Sequence, residues 1–318
     1  MLTISEESDA RRRAETAAVR AELGKRIGRH LDATGENGTA IAGLNLYRCT
    51  NVTPAYSTIY EPSLAMIVHG RKRIVVGDEA HIYDESRFLL TAVDMPTIAC
   101  FLEASPEQPH LAIMLKLDLA AVRQLMGEID MAAIDTGGAG GAMTIGPATL
   151  DLVDAVNRLV GLLDTPHDIP VLGKLVEREI LYRLLTGPTG ARLRQTVSLG
   201  TQTHRAARVI AWLRENFALP VRIEALAEVA GMGVSTLHHH FRELTAMSPL
   251  QYQKHLRLHE ARRLMLSEAI DAGSAALRVG YESPTQFSRE YRRLFGAPPK
   301  RDVEALRAET REFATPAA

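Results

Sequence analysis

A chain of 318 residues, 46% of them hydrophobic and 24% charged, is long enough for two domains that each bury a core and too apolar for a disordered tail. No uninterrupted apolar run approaches the roughly 18 residues of a membrane span, and the opening MLTISEESDARRRAE has no hydrophobic secretion signal, so the expected compartment is the cytoplasm with no membrane partner. The net charge of −1 conceals an asymmetry: residues 204–306 hold 15 Lys and Arg against 11 Asp and Glu, while the remainder holds 22 against 27. Positive charge gathered in one third of the chain fits a nucleic-acid partner.

Residues 8–31 read as a helix, because Val19, Leu23, Ile27 and Leu31 recur every four residues with arginines on the other sides. An amphipathic helix packed on the next domain is expected. From Gly35 to Leu117 the period changes. Short β-branched runs alternate with glycine and proline, at Leu44–Cys49, Leu64–His69, Arg73–Val76, His81–Tyr83, Phe88–Ala92, Ile98–Leu102 and Leu111–Leu117. Gly77-Asp78 reads as a tight hairpin turn. Seven such strands predict a cupin-like β-barrel or sandwich.

The helical period returns from Asp118 to Gly187. Leu119, Val122, Leu125 and Met126 make one apolar stripe, Leu150, Val153, Val156, Leu159, Val160 and Leu163 a second, and Leu172, Leu175, Val176, Ile180, Leu181 and Leu184 a third after Pro170. The glycine run at 136–141 reads as a flexible connection. A phosphate cradle there lacks both the P-loop lysine and a preceding strand. Residues 188–203, rich in Gly, Thr, Pro and Arg, read as an interdomain linker.

The stretch from about His204 to Glu304 organises the rest. Ile223 to Ala230 has the spacing of a short helix, Gly231-Met232-Gly233 breaks it, and Ser235 is the expected N-cap of the next helix, with Leu237, Phe241 and Leu244 on its buried side. The pattern recurs: a short helix from Ile270 to Val279, a break at Gly280, a cap at Ser283 with Pro284 in the first helical position, and a buried stripe of Phe287, Tyr291 and Leu294. Between them Ser248-Pro249 starts a helix that stays periodic to about Ser267, roughly 28 Å long. These are two helix-turn-helix readers on one strut, a length that suits adjacent major grooves roughly 34 Å apart.

At this point the chain resembles a known family. The run RVGYESPTQFSREYRRLFGAPP is similar to the signature of AraC/XylS-type transcription regulators, with Gly280, Tyr281, Ser283, Phe287, Ser288, Arg289, Tyr291, Arg292, Phe295, Gly296 and Pro299 in register. The first reader also resembles that family through Leu226, Ala227, Gly231, Leu237, Phe241, Arg242, Ser248, Pro249 and Tyr252. One departure is Lys300-Arg301-Asp302, where the family usually has Tyr-Arg after the last proline. A shorter match, through Tyr60-Glu61-Pro62-Ser63-Leu64, Gly70-Arg71-Lys72, Gly77-Asp78, Asp94-Met95-Pro96 and Leu115-Lys116-Leu117-Asp118, resembles the N-terminal domain of one AraC subgroup.

The resemblance implies a multidomain α+β protein. An N-terminal helix and cupin-like effector domain would occupy 1–117, a helical dimerisation region 118–187, a linker 188–203 and an all-α double helix-turn-helix domain 204–306. Ser235, Thr236, His238, His239 and Arg242 of the first reader, with Pro284, Thr285, Gln286, Ser288, Arg289 and Arg292 of the second, are the expected DNA-binding residues. Ser235, His238 and His239, with Pro284, Thr285 and Gln286, take the base-reading places by the resemblance, while Arg242, Ser288, Arg289 and Arg292 chiefly position the backbone, with a guanine within the reach expected of Arg289. The implied partners are promoter double-stranded DNA, a small-molecule effector of unknown identity, a second copy in a homodimer and, as a further candidate, RNA polymerase.

A cupin-type metalloenzyme fused to a DNA-binding domain is the rival reading. It needs a His-x-His pair, a nearby Glu and a third His, whereas His69, His81 and His110 contain no such pair. Adjacent residues on a helix point about 100° apart, so His238, His239 and His240 are not expected to chelate one ion. Cys49 and Cys100 are too few for a disulfide framework or a cysteine zinc site, and are expected to be buried and inert. We therefore expect no enzymatic activity, metal or cofactor.

Overall fold

The computed structural model describes residues 4–31, 35–53, 55–77, 79–130 and 141–314. The chain opens on α1 (Ile4–Arg29) and then lays down β1 (Gly35–Gly38), β2 (Leu44–Cys49), β3 (Tyr56–Tyr60), β4 (Ser63–His69), β5 (Arg71–Val76), β6 (Glu79–Tyr83), β7 (Arg87–Thr91), β8 (Met95–Glu103) and β9 (His110–Lys116). Helix α2 (Leu119–Met126) precedes β10 (Met143–Pro147), and α3 (Leu150–Gly161), α4 (Lys174–Thr186) and α5 (Gly190–Val197) follow. The seven strand runs legible in the sequence all appear within two or three residues of their expected ends. β1, β3 and β10 are additions whose composition carries little apolar alternation. The glycine run at 136–140 and Asp78 of the expected hairpin turn lie outside the described residues.

The strands form two antiparallel sheets and not a closed barrel. One has the order β1-β2-β9-β4-β7-β10, the other β3-β8-β5-β6. Alternation along β4 shows how the layers arise. Leu64, Met66 and Val68 point to one core with Leu23, Ile27, Val156 and Leu159 of α1 and α3, while Ala65 and Ile67 point to the other, between the sheets. A strand buried on both faces reads as a continuous apolar run, as Leu64 to Val68 does. Helix α1 therefore packs on the sandwich, as its stripe predicted.

The third stripe departs from expectation. Between Ile169 and Gly173 the helix widens to π-type turns before α4 begins, which takes the residues within and just after it out of register with the buried stripe. Ile180, Leu181 and Leu184 are buried. Leu172 and Leu175 stay in solvent beside Val171 and Tyr182. The stretch read as a linker is also different: α5 is almost wholly buried, its Arg192 and Arg194 included. Arg192 donates to Glu243 at 2.9 Å and Arg194 to the carbonyl of Leu185. The arginines of the expected linker are packed cations with partners.

The C-terminal part is all α: α6 (Gln202–Asn216), α7 (Ile223–Ala230), α8 (Val234–Thr245), α9 (Pro249–Ser267), α10 (Ala272–Arg278), α11 (Pro284–Phe295) and α12 (Pro299–Ala314). Among the described residues no helix is long and apolar enough to cross a membrane.

Candidate nucleic-acid interface and effector cavity

Each reader turns on a left-handed glycine. Gly231 ends α7 at φ 63° and Gly280 follows α10 at φ 86°, a conformation glycine adopts without a Cβ penalty. At Gly280 a second constraint applies, because a Cβ would lie 2.1 Å from the carbonyl oxygen of Ala218. The recognition helices begin differently. Ser283 caps α11 by accepting the Gln286 amide, with Pro284 in the first turn, as expected. Helix α8 is instead capped at Gly233, whose extended backbone makes no side-chain bond, and Ser235 already lies inside the helix. The cap shifts because the chain leaves its turn two residues earlier than a serine cap requires, which frees Ser235 for the outer face. The strut begins with a reciprocal capping box between Ser248 and Gln251.

Leu237, Phe241 and Leu244 are buried beneath α8, and Phe287 and Tyr291 beneath α11, with Leu294 only half-buried. Ser235, Thr236, His238, His239 and Arg242 are exposed on α8, and Pro284, Thr285, Gln286, Ser288, Arg289 and Arg292 on α11. Each helix thus presents a polar face with hydroxyl, imidazole, amide and guanidinium groups, the donors and acceptors that phosphates and base edges take. His239, His240 and Glu243 form the cluster among the described residues able to hold a metal ion. Two adjacent histidines do therefore converge, since the tilt of their rings offsets the angle between them. Glu243, however, already receives His240 at 3.1 Å and Arg192 at 2.9 Å, and the Arg192 hydrogen bond leads the pull that keeps its carboxyl below the usual range. His69, His81 and His110 are not gathered into such a group.

The second concave feature lies inside the sandwich. A cavity of about 330 Å³ opens between the sheets, lined by Tyr47, Tyr56, Tyr60, Lys72, Phe101 and His110 among others. β5 supplies Lys72 just after a register irregularity between β5 and β8 at Arg71 and Lys72, and β9 supplies His110. Glu61, after β3, lines the same cavity and reaches outward to Lys116 at 2.7 Å and to Arg214 of α6. Burial pushes the Glu61 carboxyl up, but those two cations outweigh it and hold it below the ordinary value. Asp94, also paired with Arg214, is shifted the other way because its deeper burial prevails over the guanidinium.

The model for the AraC-type transcriptional regulator N-terminus matches residues 40–192, and a helix-turn-helix domain model matches 226–304. The chain belongs to the AraC-type transcriptional regulators. Among curated relatives it is 31% identical over 152 residues to the HTH-type transcriptional activator RhaS of Salmonella schwarzengrund, covering 47% of this chain and 53% of that protein. The RhaS of Salmonella typhimurium is 30% identical over the same length and coverage. The match thus spans about half the length of these relatives. The fold is similar to ToxT from Vibrio cholerae. An apo form has a TM-score of 0.56 at 11% identity, covering 85% of this chain and 98% of that one. A form bound to an unsaturated fatty acid has a TM-score of 0.56 at 10% identity, covering 82% and 94%.

What sequence reasoning missed in this AraC-type chain is how tightly the first reader is bonded to the sandwich. Tyr252 donates to the carbonyl of Asp94 at 2.7 Å, the Ala142 amide to the carbonyl of Leu244 at 2.8 Å, and Ser57 meets His259 Nε2 at 2.8 Å. Asp94, Glu61 and Tyr252 had each been picked out as motif residues, yet nothing in their spacing showed that they meet. The unusual Asp302 also gains a reason. It accepts both Nε and a terminal nitrogen of Arg262 at 2.8 Å, and the hydroxyl of Tyr291 at 2.7 Å, locking α12 against α9 and α11.

Proposed function

We propose that this protein is a sequence-specific DNA-binding transcription regulator acting in the cytoplasm, controlled by a small effector in the N-terminal cavity. The observation that carries the reading is that α8 and α11, each the second helix of a helix-turn-helix, expose every side chain the sequence assigned to DNA while burying the apolar side of the same helix. The division into effector unit (1–117), helical dimer region (118–187) and DNA-binding unit (204–306) belongs to the same reading, with α5 as a packed junction. Effector binding would act by favouring one placement of the readers over another, since only differential affinity shifts such an equilibrium. Selection of bound sites from random duplex DNA by the full chain tests the reading. Against the selected site, Arg289→Ala should lose roughly 10- to 100-fold in affinity, equivalent to about 1–3 kcal/mol. His239→Ala should relax base preference without changing the salt slope. Two variants indistinguishable from wild type in both measurements would sink it.

We also propose a homodimer through the helical region. Val171, Leu172 and Leu175 stand 68%, 42% and 60% exposed on one stretch of chain, and apolar side chains gathered at a surface are what an association face offers. Leu175→Asp should convert a dimer to a monomer in sedimentation equilibrium, and an unchanged mass would remove this face from consideration.

A further inference from the structure

We infer that the cavity between the sheets takes a small aromatic carboxylate, bound through the Lys72 ammonium and the His110 imidazole. The inference rests on the reading of that cavity as the effector site and adds the chemistry of its occupant. Its volume of about 330 Å³ lies at the lower end of small-molecule sites, so the occupant is compact.

The charge of the walls sets the sign. Glu61 and Lys72 are the ionised groups among the described lining residues. Glu61 is held by two cations of its own. Among the described residues no carboxylate lies within ion-pair distance of Lys72, although other lysines have such partners. Its Nζ sits instead 4.8, 5.3 and 5.7 Å from the ring centroids of Phe101, Tyr60 and Tyr56. Three rings around a cation are how proteins bind ammonium ligands. Here the protein fills that box with its own lysine, which turns the site against a cationic ligand and leaves an unneutralised positive charge facing the cavity.

His110 is the second, independent observation. It is 1% exposed, and neither ring nitrogen meets a hydrogen-bond partner within the protein. Burial, the largest influence, pulls its pKa down to about 3, so the ring is neutral and keeps one N–H donor and one lone pair. A buried polar group left unpaired calls for an explanation. His110 stacks on Phe101 with ring centroids 4.5 Å apart, the same ring that carries Lys72. A carboxylate beside Phe101 would receive both donors. The body of such a ligand would lie among the rings of Tyr47, Tyr56, Tyr60, Tyr83 and Phe101, which favours a flat aromatic frame over a long alkyl chain.

Calorimetric titration of the full chain with phenylacetate, phenylacetamide and phenethylammonium tests the assignment, because the three share one ring and differ in charge. Phenylacetate should bind at least ten times more tightly than the amide, and the ammonium should not bind. Lys72→Met should abolish that preference, weakening phenylacetate at least tenfold and leaving the amide unchanged; circular dichroism and the amide's unchanged affinity report that the variant is folded. Equal binding of all three probes, a preference that survives Lys72→Met, or no binding of any probe at millimolar concentration would overturn the carboxylate assignment. Failure of the effector reading shows differently: phenylacetate binds as expected, yet saturating it leaves affinity for the selected DNA site unchanged.

Discussion

The two readers share one architecture and differ in what holds them. The first is continuous with the N-terminal domain. Leu237, Phe241, Leu244 and Tyr252 belong to the same buried cluster as Ile67, Ile74, Leu89 and Met95 of the sandwich. The second has its own core of Leu258, Ala261, Met265, Ala276, Phe287 and Tyr291, closed by the Arg262–Asp302–Tyr291 network. The first reader thus shares a core with the sandwich, whereas the second meets it only through the strut and a small contact of α11 with β3. A two-reader domain can in this way couple one DNA contact to an effector while the other acts as a fixed anchor.

The strongest way to break this comparison is a matched pair of truncations. Phe241→Ala and Phe287→Ala should each cost about 3–5 kcal/mol. For Phe241→Ala, hydrogen exchange should accelerate in β4, β5 and β8 as well as in α6–α9. For Phe287→Ala the loss should stay within α10–α12 and the end of α9. Equal spread in both variants would erase the distinction between a fused and a free-standing reader.

Acid probes the seam between them. Burial holds His255 and His259, both on α9, down to about 4 and 3. Below the ordinary histidine value of about 6.5 the unfolded chain takes up protons that the folded chain refuses. Stability is therefore complete above that pH and is lost as pH falls toward the folded values, by up to about 1.4 kcal/mol per pH unit for each histidine. His259 is the more informative, since it bonds Ser57 of β3 and stacks edge-on against Phe295 of α11 at 5.4 Å, touching sandwich and second reader at once. His259→Gln should remove its share of the slope between pH 6.5 and 5 in denaturant titrations. An unchanged slope would mean that the ring is not held neutral.

The smallest effect expected is at Arg214. It ties α6 to Asp94 and Glu61, but its side chain is 39% exposed and solvent screens the pairs, so Arg214→Gln should cost no more than about 1 kcal/mol. Its signature is positional: faster exchange in α6 with α10–α12 unmoved. A uniform change across both readers would argue against a local clasp.

Much of the site was legible from one sequence because the readers are local. A turn that needs a left-handed residue shows itself as Gly231 or Gly280, a cap as Ser283 followed by Pro284, and a buried stripe as Phe287 and Tyr291 at helical spacing. The exposed residues followed by subtraction. Reasoning failed where a residue's environment comes from distant chain. Arg192 and Arg194 resemble linker residues until Glu243 and the Leu185 carbonyl are placed beside them. Cys49 and Cys100, expected to be buried, are half-exposed although both lie on inner strands of their sheets, because alternation along a strand does not reveal how far distant chain covers each face. Leu172 and Leu175 fit a buried stripe by spacing, but a π-type turn no propensity signals takes them off the core.

The sequence by itself determined that this chain carries two helix-turn-helix units on one strut, behind a strand-rich domain, and which polar residues those units present. Hydrogen bonds within a few residues and a 3.6-residue period are properties of short stretches, so they survive in the primary structure. Only the tertiary structure decided that the sandwich stays open, that Lys72 and His110 face one cavity across a shared ring, and that the first reader is welded to that domain through Tyr252, Asp94 and Arg214. Those relations join residues up to 158 positions apart, and what brings them together is the burial of two apolar surfaces against each other, which no local pattern encodes.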